Sequence, residues 1–290
     1  MRDIVMVVGS GMMGSGIGAM SALAGNKTVL VDTSAERAEN GRKKAIECIR
    51  LREENELNTH EEAEKAIELL STSDDSIKTA ENARLVIEAI IENVEAKQNL
   101  FAQLDAVLPV EVPICSNTSG LRITDISAKC VHPERTVTTH FWLPAHLVPL
   151  VEVVMGDKTD EAVAVAVRDE LRKWKKAPVL VKRDLPGQLA NRVFQAIIRE
   201  SIDIVASGLA SAEDVDTAIS CGMAMRFPVW GPLKHLDAIW VSPCRRPCCP
   251  ASAPTRPPAP TSRNWWRRAT WVPRPARASM IGRPAALRTT

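Results

Sequence analysis

The chain has 290 residues and a formal net charge of +2, with 45% apolar and 25% charged residues. All 35 acidic residues lie in residues 1–240, which carry a net charge of −8 and argue against a nucleic-acid partner. No apolar run reaches the roughly 20 residues of a membrane-spanning helix, and we expect no signal peptide, because the segment before the first strand-like run lacks the charged, apolar and small-residue blocks of one. The four scattered cysteines of this part favour a reducing, cytoplasmic setting.

The first sixty residues place a glycine-rich turn between a strand and a helix. Buried strands are predicted over 4–8 and 28–31, and a helix begins at the end of the GxGxxG motif between them. Asp32 closes the second strand and would accept hydrogen bonds from ribose hydroxyls, which favours NAD over NADP. The predicted cofactor-binding residues of this segment are Gly9, Ser10, Gly11, Met12, Met13, Gly14 and Asp32.

The remaining elements alternate between strand and helix until residue 183. Two charged amphipathic helices, 35–56 and 60–70, predict a helical hairpin after the second strand. Strands follow over 85–90, 112–115, 135–141, 150–154 and 178–181, with helices over 92–104 and 160–174. The pattern is helical from 189 until it stops after 239. This order predicts a Rossmann-type doubly wound parallel sheet over 1–183 and the start of an all-α second domain over 184–240, which we expect to be truncated.

Several motifs occur in a specific order over residues 4–192. They are VVGSGMMGSGIGAM, VLVDTS, VIEAIIENVEAKQNLF, SNTSGLRIT, HFWLPAHLVPLVEV and PGQLANRV. With these motifs the chain resembles the 3-hydroxyacyl-CoA dehydrogenase family. The resemblance implies reversible NAD-dependent oxidation of the 3-hydroxyl of a (S)-3-hydroxyacyl-CoA, a place in fatty acid metabolism, and a homodimer for an intact member.

The resemblance also implies roles for the catalytic residues. His140 would be the general base, Glu152 would hold its imidazole, and Ser119 and Asn191 would hydrogen-bond the reacting oxygens of the substrate. Histidine is the side chain that titrates unperturbed near neutrality, and a lone acid within an apolar strand is costly to bury unless it is paired. The alternatives are a plain strand-end histidine, a turn-forming Ser119 and a helix-start Asn191.

Three further residues are placed beside the cofactor by the same resemblance. Glu92, Lys97 and Asn117 would lie near the ribose and the nicotinamide, although Asn117 is also a common turn former. No metal is expected.

Two departures from the family pattern concern the substrate. Leu143 stands where members acting on CoA thioesters usually have asparagine, and residues 52–56 are net acidic where basic residues usually meet the CoA phosphates. The segment 148–152 resembles the branch that acts on free hydroxy acids. The alternative substrate is therefore a free 3-hydroxy acid.

Residues 241–290 differ in kind from the rest of the chain. They contain ten arginines and ten prolines but no lysine or acidic residue. Three interpretations compete: a disordered extension, a cationic binding tail, and the product of a shifted reading frame, which we favour. Read one base back, three stretches give ELV, GDLGP and GFYDW, in the order of the family's C-terminal motif. A shifted tail would make dimerisation doubtful and leaves the alternative of a catalytically defective NAD-binding protein.

Overall fold

Eight strands form one sheet in the computed structural model, which describes residues 2–229, 231 and 232. The expectations for residues 241–290, including the shifted reading frame, lie outside the described residues. The strands are β1 (Ile4–Val8), β2 (Lys27–Val31), β3 (Leu70–Ser73), β4 (Ala83–Glu88), β5 (Ile114–Ser116), β6 (Thr136–Phe141), β7 (Leu150–Met155) and β8 (Ala177–Val181).

Nine α-helices connect and follow these strands within the described residues. They are α1 (Met12–Leu23), α2 (Ala35–Glu54), α3 (His60–Glu68), α4 (Ser76–Ala80), α5 (Val94–Val107), α6 (Ile123–Ile126), α7 (Glu161–Lys173), α8 (Ala190–Ala206) and α9 (Ala212–Ala218). Short 3-10 turns span Ser127–Lys129 and Pro133–Arg135, and a π-helical turn spans Ile219–Met223.

The spatial order of the strands is β3-β2-β1-β4-β5-β6-β7-β8. All neighbours are parallel except β6 and β7, which are antiparallel. Only residues 142–149 connect β6 to β7, and a parallel crossover needs a dozen or more residues. The predicted Rossmann-type sheet is therefore confirmed, with one strand reversal that the prediction did not include.

Strand β1 shows why the sheet is buried on both faces. Val5 and Val7 pack into one core cluster with Ile17 and Leu30, whereas Met6 packs into the other cluster. Successive side chains of a strand point to opposite faces, so the continuous apolar run IVMVV suits a central strand.

The predicted helical hairpin is formed by α2 and α3. Ser34 caps α2, and Thr59 forms a capping box with Glu62 at the start of α3. A Cβ on Gly41 would lie 2.3 Å from the Cβ of Ser10, so a glycine at this position lets α2 contact the glycine-rich turn closely.

The prediction for residues 60–70 was wrong at its end, because the helix stops at Glu68 and Leu70 begins strand β3. The segment LSTS has one apolar residue and no clear alternation. This segment becomes an edge strand through its pairing with β2, in which Thr28 lies opposite Leu70. Its local sequence pattern does not indicate a strand.

Two compact units divide the chain, residues 1–212 and 213–290. In the first unit, α8 has no fully buried residue, and the side chains of Val193, Phe194 and Ile202 are exposed. Of the second unit the structure describes residues 213–229, 231 and 232, which comprise most of α9 and the π-helical turn. In the described part of residues 184–240 the regular elements are all helical, and the domain boundaries at 183 and 240 stay predictions.

Candidate active site

The turn between β1 and α1 is built on close backbone contacts. Gly9 has a φ of +92°, and a Cβ there would lie 2.6 Å from the carbonyl oxygen of Ala89. A Cβ on Gly14 would lie 1.8 Å from the carbonyl oxygen of Gly9, whereas a Cβ on Gly11 would meet nothing within 4 Å. No side chain caps the start of α1. Its first N–H groups therefore have no side-chain acceptor, an arrangement that suits the pyrophosphate of a dinucleotide.

Asp32 lies at the end of β2, beside this turn. Its Oδ2 atom accepts hydrogen bonds from the backbone N–H of Ser10 at 2.9 Å and from the Ser10 hydroxyl at 2.8 Å. Partial burial works against ionisation, but the hydrogen bonds from Ser10 and Thr33 lower the pKa of Asp32. Ser10 is 3% exposed, so its side chain orients the aspartate rather than facing the solvent.

The motif's two methionines occupy different environments. The Met12 side chain is 71% exposed. Met13 is partly buried against one of the two core clusters. If these residues contact a dinucleotide, Met13 can do so only through its backbone and the exposed remainder of its side chain.

A carboxylate network surrounds the Ser116–Gly120 turn at the end of β5. Glu92 Oε1 accepts from the Thr118 hydroxyl at 2.5 Å and from the backbone N–H groups of Ser119 and Gly120. Burial opposes ionisation, yet the hydrogen bond from Thr118 and the charge of Lys97 lower the pKa of Glu92. Lys97 is 1% exposed and lies between Glu88 and Glu92, with its Nζ atom 2.5 Å and 3.3 Å from their oxygens. Glu92 and Lys97 thus hold the turn in place.

His140 and Glu152 are direct partners in the antiparallel pair of β6 and β7. The His140 Nδ1 atom lies 2.8 Å from Glu152 Oε2, and the two side chains are 7% and 0% exposed. Because Nδ1 faces the carboxylate, the neutral ring donates from Nδ1 and keeps a free lone pair on Nε2. This is the arrangement of a base oriented by an acid.

Glu152 binds three more donors. Its Oε2 atom also accepts from the indole Nε1 of Trp142 at 3.1 Å, and Oε1 accepts from the backbone N–H groups of Leu189 and Ala190, each at 2.9 Å. Burial alone would raise the pKa of Glu152, but the hydrogen bonds from His140, Ala190, Trp142 and Leu189 lower it to about 2. The carboxylate is therefore charged at every pH at which the protein would work, and it fixes the first turn of α8.

Hydrogen bonds tie the segments that carry the two predicted substrate ligands, Ser119 and Asn191, to this pair. Asn117 Oδ1 accepts from the backbone N–H of Phe141 at 2.9 Å, which joins the Ser119-bearing turn to the end of β6. Asn191 follows Ala190, whose N–H binds Glu152. The Ser119 hydroxyl and the Asn191 carboxamide have no hydrogen-bond partner among residues 2–229. Both groups are therefore free to bind a ligand.

A groove of about 640 Å³ lies between α2 and residues 143–146. Its lining combines apolar side chains such as Met12, Leu51 and Leu143 with charged residues of α2, namely Lys44, Glu47 and Glu54. Arg50, which also lines the groove, is held by ion pairs to Glu53 at 2.8 Å and Glu64 at 2.5 Å. The groove therefore offers an apolar surface with little uncompensated positive charge from this arginine.

Two cations hold the loop that forms one side of the groove. Arg52 donates to the carbonyl of His146 at 2.6 Å. Lys176, which is 7% exposed, donates to the carbonyls of Ala145 at 2.5 Å and Val148 at 2.9 Å. Burial and the nearby charge of Arg52 lower the pKa of Lys176 to about 8.

Neither a metal centre nor a membrane span emerges from the described part of the chain. Within residues 2–229, 231 and 232, no three histidine, cysteine or acidic side chains come together as metal ligands would. No described helix is both long enough and apolar enough to cross a bilayer.

The glycine-rich turn after β1 and the His140–Glu152 pair lie at the same edge of the parallel strands. This arrangement places the chain among NAD-dependent oxidoreductases. Residues 4–185 match the 3-hydroxyacyl-CoA dehydrogenase NAD binding domain, and residues 187–270 match the C-terminal domain of the same enzymes. The chain belongs to the 3-hydroxyacyl-CoA dehydrogenase family, and its cofactor is NAD. Its open turn at Gly11 and its charged Asp32 fit that cofactor.

Relatives cover most of the chain. A probable 3-hydroxybutyryl-CoA dehydrogenase of Bacillus subtilis is 38% identical over 83% of this chain and 82% of its own length. A 5-formyl-3-hydroxy-2-methylpyridine 4-carboxylate 5-dehydrogenase of Mesorhizobium japonicum is 32% identical, over 80% of this chain and 74% of its own. The crystal structure of (S)-3-hydroxybutyryl-CoA dehydrogenase from Ralstonia eutropha has a TM-score of 0.70 at 29% identity, covering 76% of this chain and 78% of that one.

Trp142 and the start of α8 are site components that the sequence did not single out. In a strand, residues two apart face the same side, so the spacing of His140 and Trp142 was an available signal. The backbone donors at Leu189 and Ala190 carry no side-chain signal at all, because any residue type supplies an N–H group.

Proposed function

We propose that this enzyme reversibly oxidises the 3-hydroxyl of a (S)-3-hydroxyacyl-CoA to the 3-oxo compound with NAD. The observation that carries the proposal is the 2.8 Å contact between His140 Nδ1 and a fully buried Glu152 carboxylate. Its supporting evidence includes the family membership and the CoA-thioester relatives from B. subtilis and R. eutropha.

The proton of the hydroxyl group goes to His140 in this proposal. The Nε2 lone pair accepts it, and the charged Glu152 stabilises the imidazolium that forms. NAD, when bound, supplies the acceptor for the hydride. The Ser119 hydroxyl and the Asn191 carboxamide bind the substrate oxygens. In the reverse direction His140 returns the proton to the oxygen of the 3-oxo group.

The test is NADH formation from (S)-3-hydroxybutyryl-CoA by the wild type and by His140→Gln. We expect the variant to lose about a hundredfold or more in kcat, the usual contribution of a general base. The matched control is His132→Gln, since His132 forms a similar contact with Glu134 at 3.1 Å on the exposed surface. Wild-type turnover with full activity of His140→Gln would refute the assignment of the base. NADH binding without turnover would instead favour a catalytically defective NAD-binding protein.

A free 3-hydroxy acid is the second candidate substrate. The charges of the groove are compatible with it, because Glu47 and Glu54 line the groove, Arg50 is already paired, and Lys44 is the one further lysine or arginine of the lining. The M. japonicum relative, named for a pyridine carboxylate, is consistent with members that do not need CoA. Comparing kcat/KM for (S)-3-hydroxybutyryl-CoA and free (S)-3-hydroxybutyrate separates the two candidates.

The proposal also covers the cellular compartment and the oligomeric state of the enzyme. Cys48, Cys115, Cys130 and Cys221 are all free thiols, which supports a reducing compartment such as the cytoplasm. A homodimer, as expected for an intact member of the family, is tested by sedimentation of the full 290-residue chain.

A further inference from the structure

We propose that Trp142 is a positioning residue that acts on His140 through Glu152. The inference rests on the proposed function, because it assigns a role relative to the base of that reaction. Trp142 is the first residue after β6 and the second after His140. Its indole N–H is the fourth donor to a carboxylate whose other three donors are His140 Nδ1 and two backbone N–H groups.

The geometry puts Trp142 and His140 on one oxygen atom. Nε1 of Trp142 lies 3.1 Å from Glu152 Oε2, and Nδ1 of His140 lies 2.8 Å from the same atom. The two rings are 5.7 Å apart between centroids and tilted by 52°. The indole therefore restrains both the carboxylate and the imidazole that it orients.

Because Glu152 is buried, the hydrogen bond from the Trp142 indole contributes to holding the carboxylate in place. Glu152 is 0% exposed, so a hydrogen bond lost inside this site is not replaced by bulk water. An ionised carboxylate has about four acceptor sites, and the four donors occupy both oxygens in pairs. Without the indole N–H, Oε2 holds only the imidazole, and rotation of the carboxylate would turn the imidazole away from the substrate hydroxyl.

Charged side chains other than Glu152 do not contact the His140 ring among the described residues. Lys176 lies 5.9 Å above the neighbouring Phe141 ring and is bound to loop carbonyls. The linker before α8 contributes only backbone N–H groups to Glu152. Among the described residues, Trp142 is therefore the one side chain besides His140 that donates a hydrogen bond to this carboxylate.

The chain offers a matched control in Trp174. Its Nε1 atom donates to Glu170 Oε1 at 3.2 Å, which is the same kind of bond as that of Trp142, made on a different element. Trp174→Phe and Trp142→Phe each keep an aromatic ring and remove one indole N–H. Each variant thus loses an indole-to-carboxylate hydrogen bond. A fall in kcat for Trp142→Phe alone would therefore show that the bond to Glu152 matters, and not the loss of such a bond in general.

The decisive experiment is a double-mutant cycle on kcat with the full chain. It compares the wild type, Trp142→Phe, Glu152→Gln and the double variant, using (S)-3-hydroxybutyryl-CoA and NAD. We expect Trp142→Phe to lower kcat about fivefold, as the loss of one hydrogen bond would, with both KM values within about twofold of wild type. In the Glu152→Gln background the same change should lower kcat by less than about twofold. Trp174→Phe should leave kcat unchanged.

The inference is overturned if the effects of Trp142→Phe and Glu152→Gln multiply, or if Trp142→Phe leaves kcat at the wild-type value. Failure of the proposed function looks different: either His140→Gln and Glu152→Gln retain wild-type turnover, or the wild type binds NADH without turnover.

An NMR readout applies even without turnover. Glu152→Gln should shift the indole ¹H–¹⁵N signal of Trp142 and speed its hydrogen exchange, while leaving that of Trp174 unmoved. An unchanged Trp142 signal contradicts the inference.

Discussion

Lys97 and Glu88 form an ion pair with side chains that are 1% and 0% exposed, and Nζ lies 2.5 Å from Oε1. Glu88 also accepts from the Ser116 hydroxyl at 2.6 Å and from the backbone N–H of Ile90 at 2.7 Å. Burial raises the pKa of Glu88 against the pull of Lys97. The pair thereby joins the end of β4 to α5, and the bond from Ser116 joins Glu88 to the end of β5.

Removing the cation should therefore destabilise the fold. We expect Lys97→Met to lower the free energy of unfolding by about 3–5 kcal/mol, because it leaves Glu88 as an uncompensated buried charge. Urea denaturation measures this loss. The control is Lys65→Met, which breaks an exposed pair with Glu61 and should leave the free energy of unfolding nearly unchanged. Equal losses for the two variants would contradict the structural role of Lys97.

Two glycines of the same turn should respond in opposite ways to alanine. Gly11→Ala should leave the melting temperature unchanged, because the new Cβ meets nothing within 4 Å. It should raise the Kd of NAD about tenfold or more, since the methyl group occupies the space next to the uncapped start of α1. Calorimetric titration measures this binding.

Gly14→Ala should instead destabilise the fold, because its Cβ would lie 1.8 Å from the carbonyl oxygen of Gly9. We expect a loss of about 3 kcal/mol or more, as for a severe overpacking change. A stable Gly14→Ala protein with wild-type NAD affinity would show that the turn differs from the one described.

Asp32 should set the preference between the two dinucleotides. Asp32→Asn removes a charge that would repel the 2′-phosphate of NADP. We expect the ratio of kcat/KM for NAD over NADP to fall at least about fivefold, since unit charges 4 Å apart interact by about 1 kcal/mol even in water. Asp3→Asn, at an exposed carboxylate paired with Lys27, is the control and should leave the ratio unchanged.

Lys176 should give the protein an unusual stability dependence on alkaline pH. Its pKa of about 8 in the folded chain lies below its ordinary value of 10.5. Between these values the unfolded chain binds more protons at this site, so the folded state gains stability as the pH rises from 8 towards 10.5. The gain should be about 1.4 kcal/mol per pH unit.

Urea denaturation at pH 7, 8, 9 and 10 would measure this gain against Lys176→Met, which lacks the titrating group. The difference in the free energy of unfolding should grow in favour of the wild type above pH 8. A difference that stays constant over this range would refute the assignment to Lys176.

Much of the fold was predictable because its signals are local. The glycine spacing, the acid after β2 and the apolar runs of β1 and β4 each specify their element with nearby residues. Strand β3 escaped prediction because LSTS becomes a strand only through its pairing with β2. The reversal at β7 depends on the short connection 142–149, a feature of topology and not of composition.

The candidate site also has parts that the sequence indicated and parts that it did not. His140 and Glu152 could be singled out as a base and a costly buried acid, but their register pairing could not. The place of Asn117 beside the cofactor stays a prediction, and the bond from the backbone N–H of Phe141 to its Oδ1 atom is a contact that the sequence did not indicate. The four donors on Glu152 come from three separate segments of the chain, so only the assembled fold brings them together.

The loop 142–149 belongs to two features of the site, the catalytic strand pair and the groove. It joins the strands that carry His140 and Glu152, and its residues 143–146 line the groove. Side-chain substitutions at residues 143–146 alter the groove without shifting the β6–β7 register, whereas a shift of one residue within β7 would turn Glu152 to the opposite face. Descendants of this sequence can therefore diversify the groove while inheriting the same paired strands.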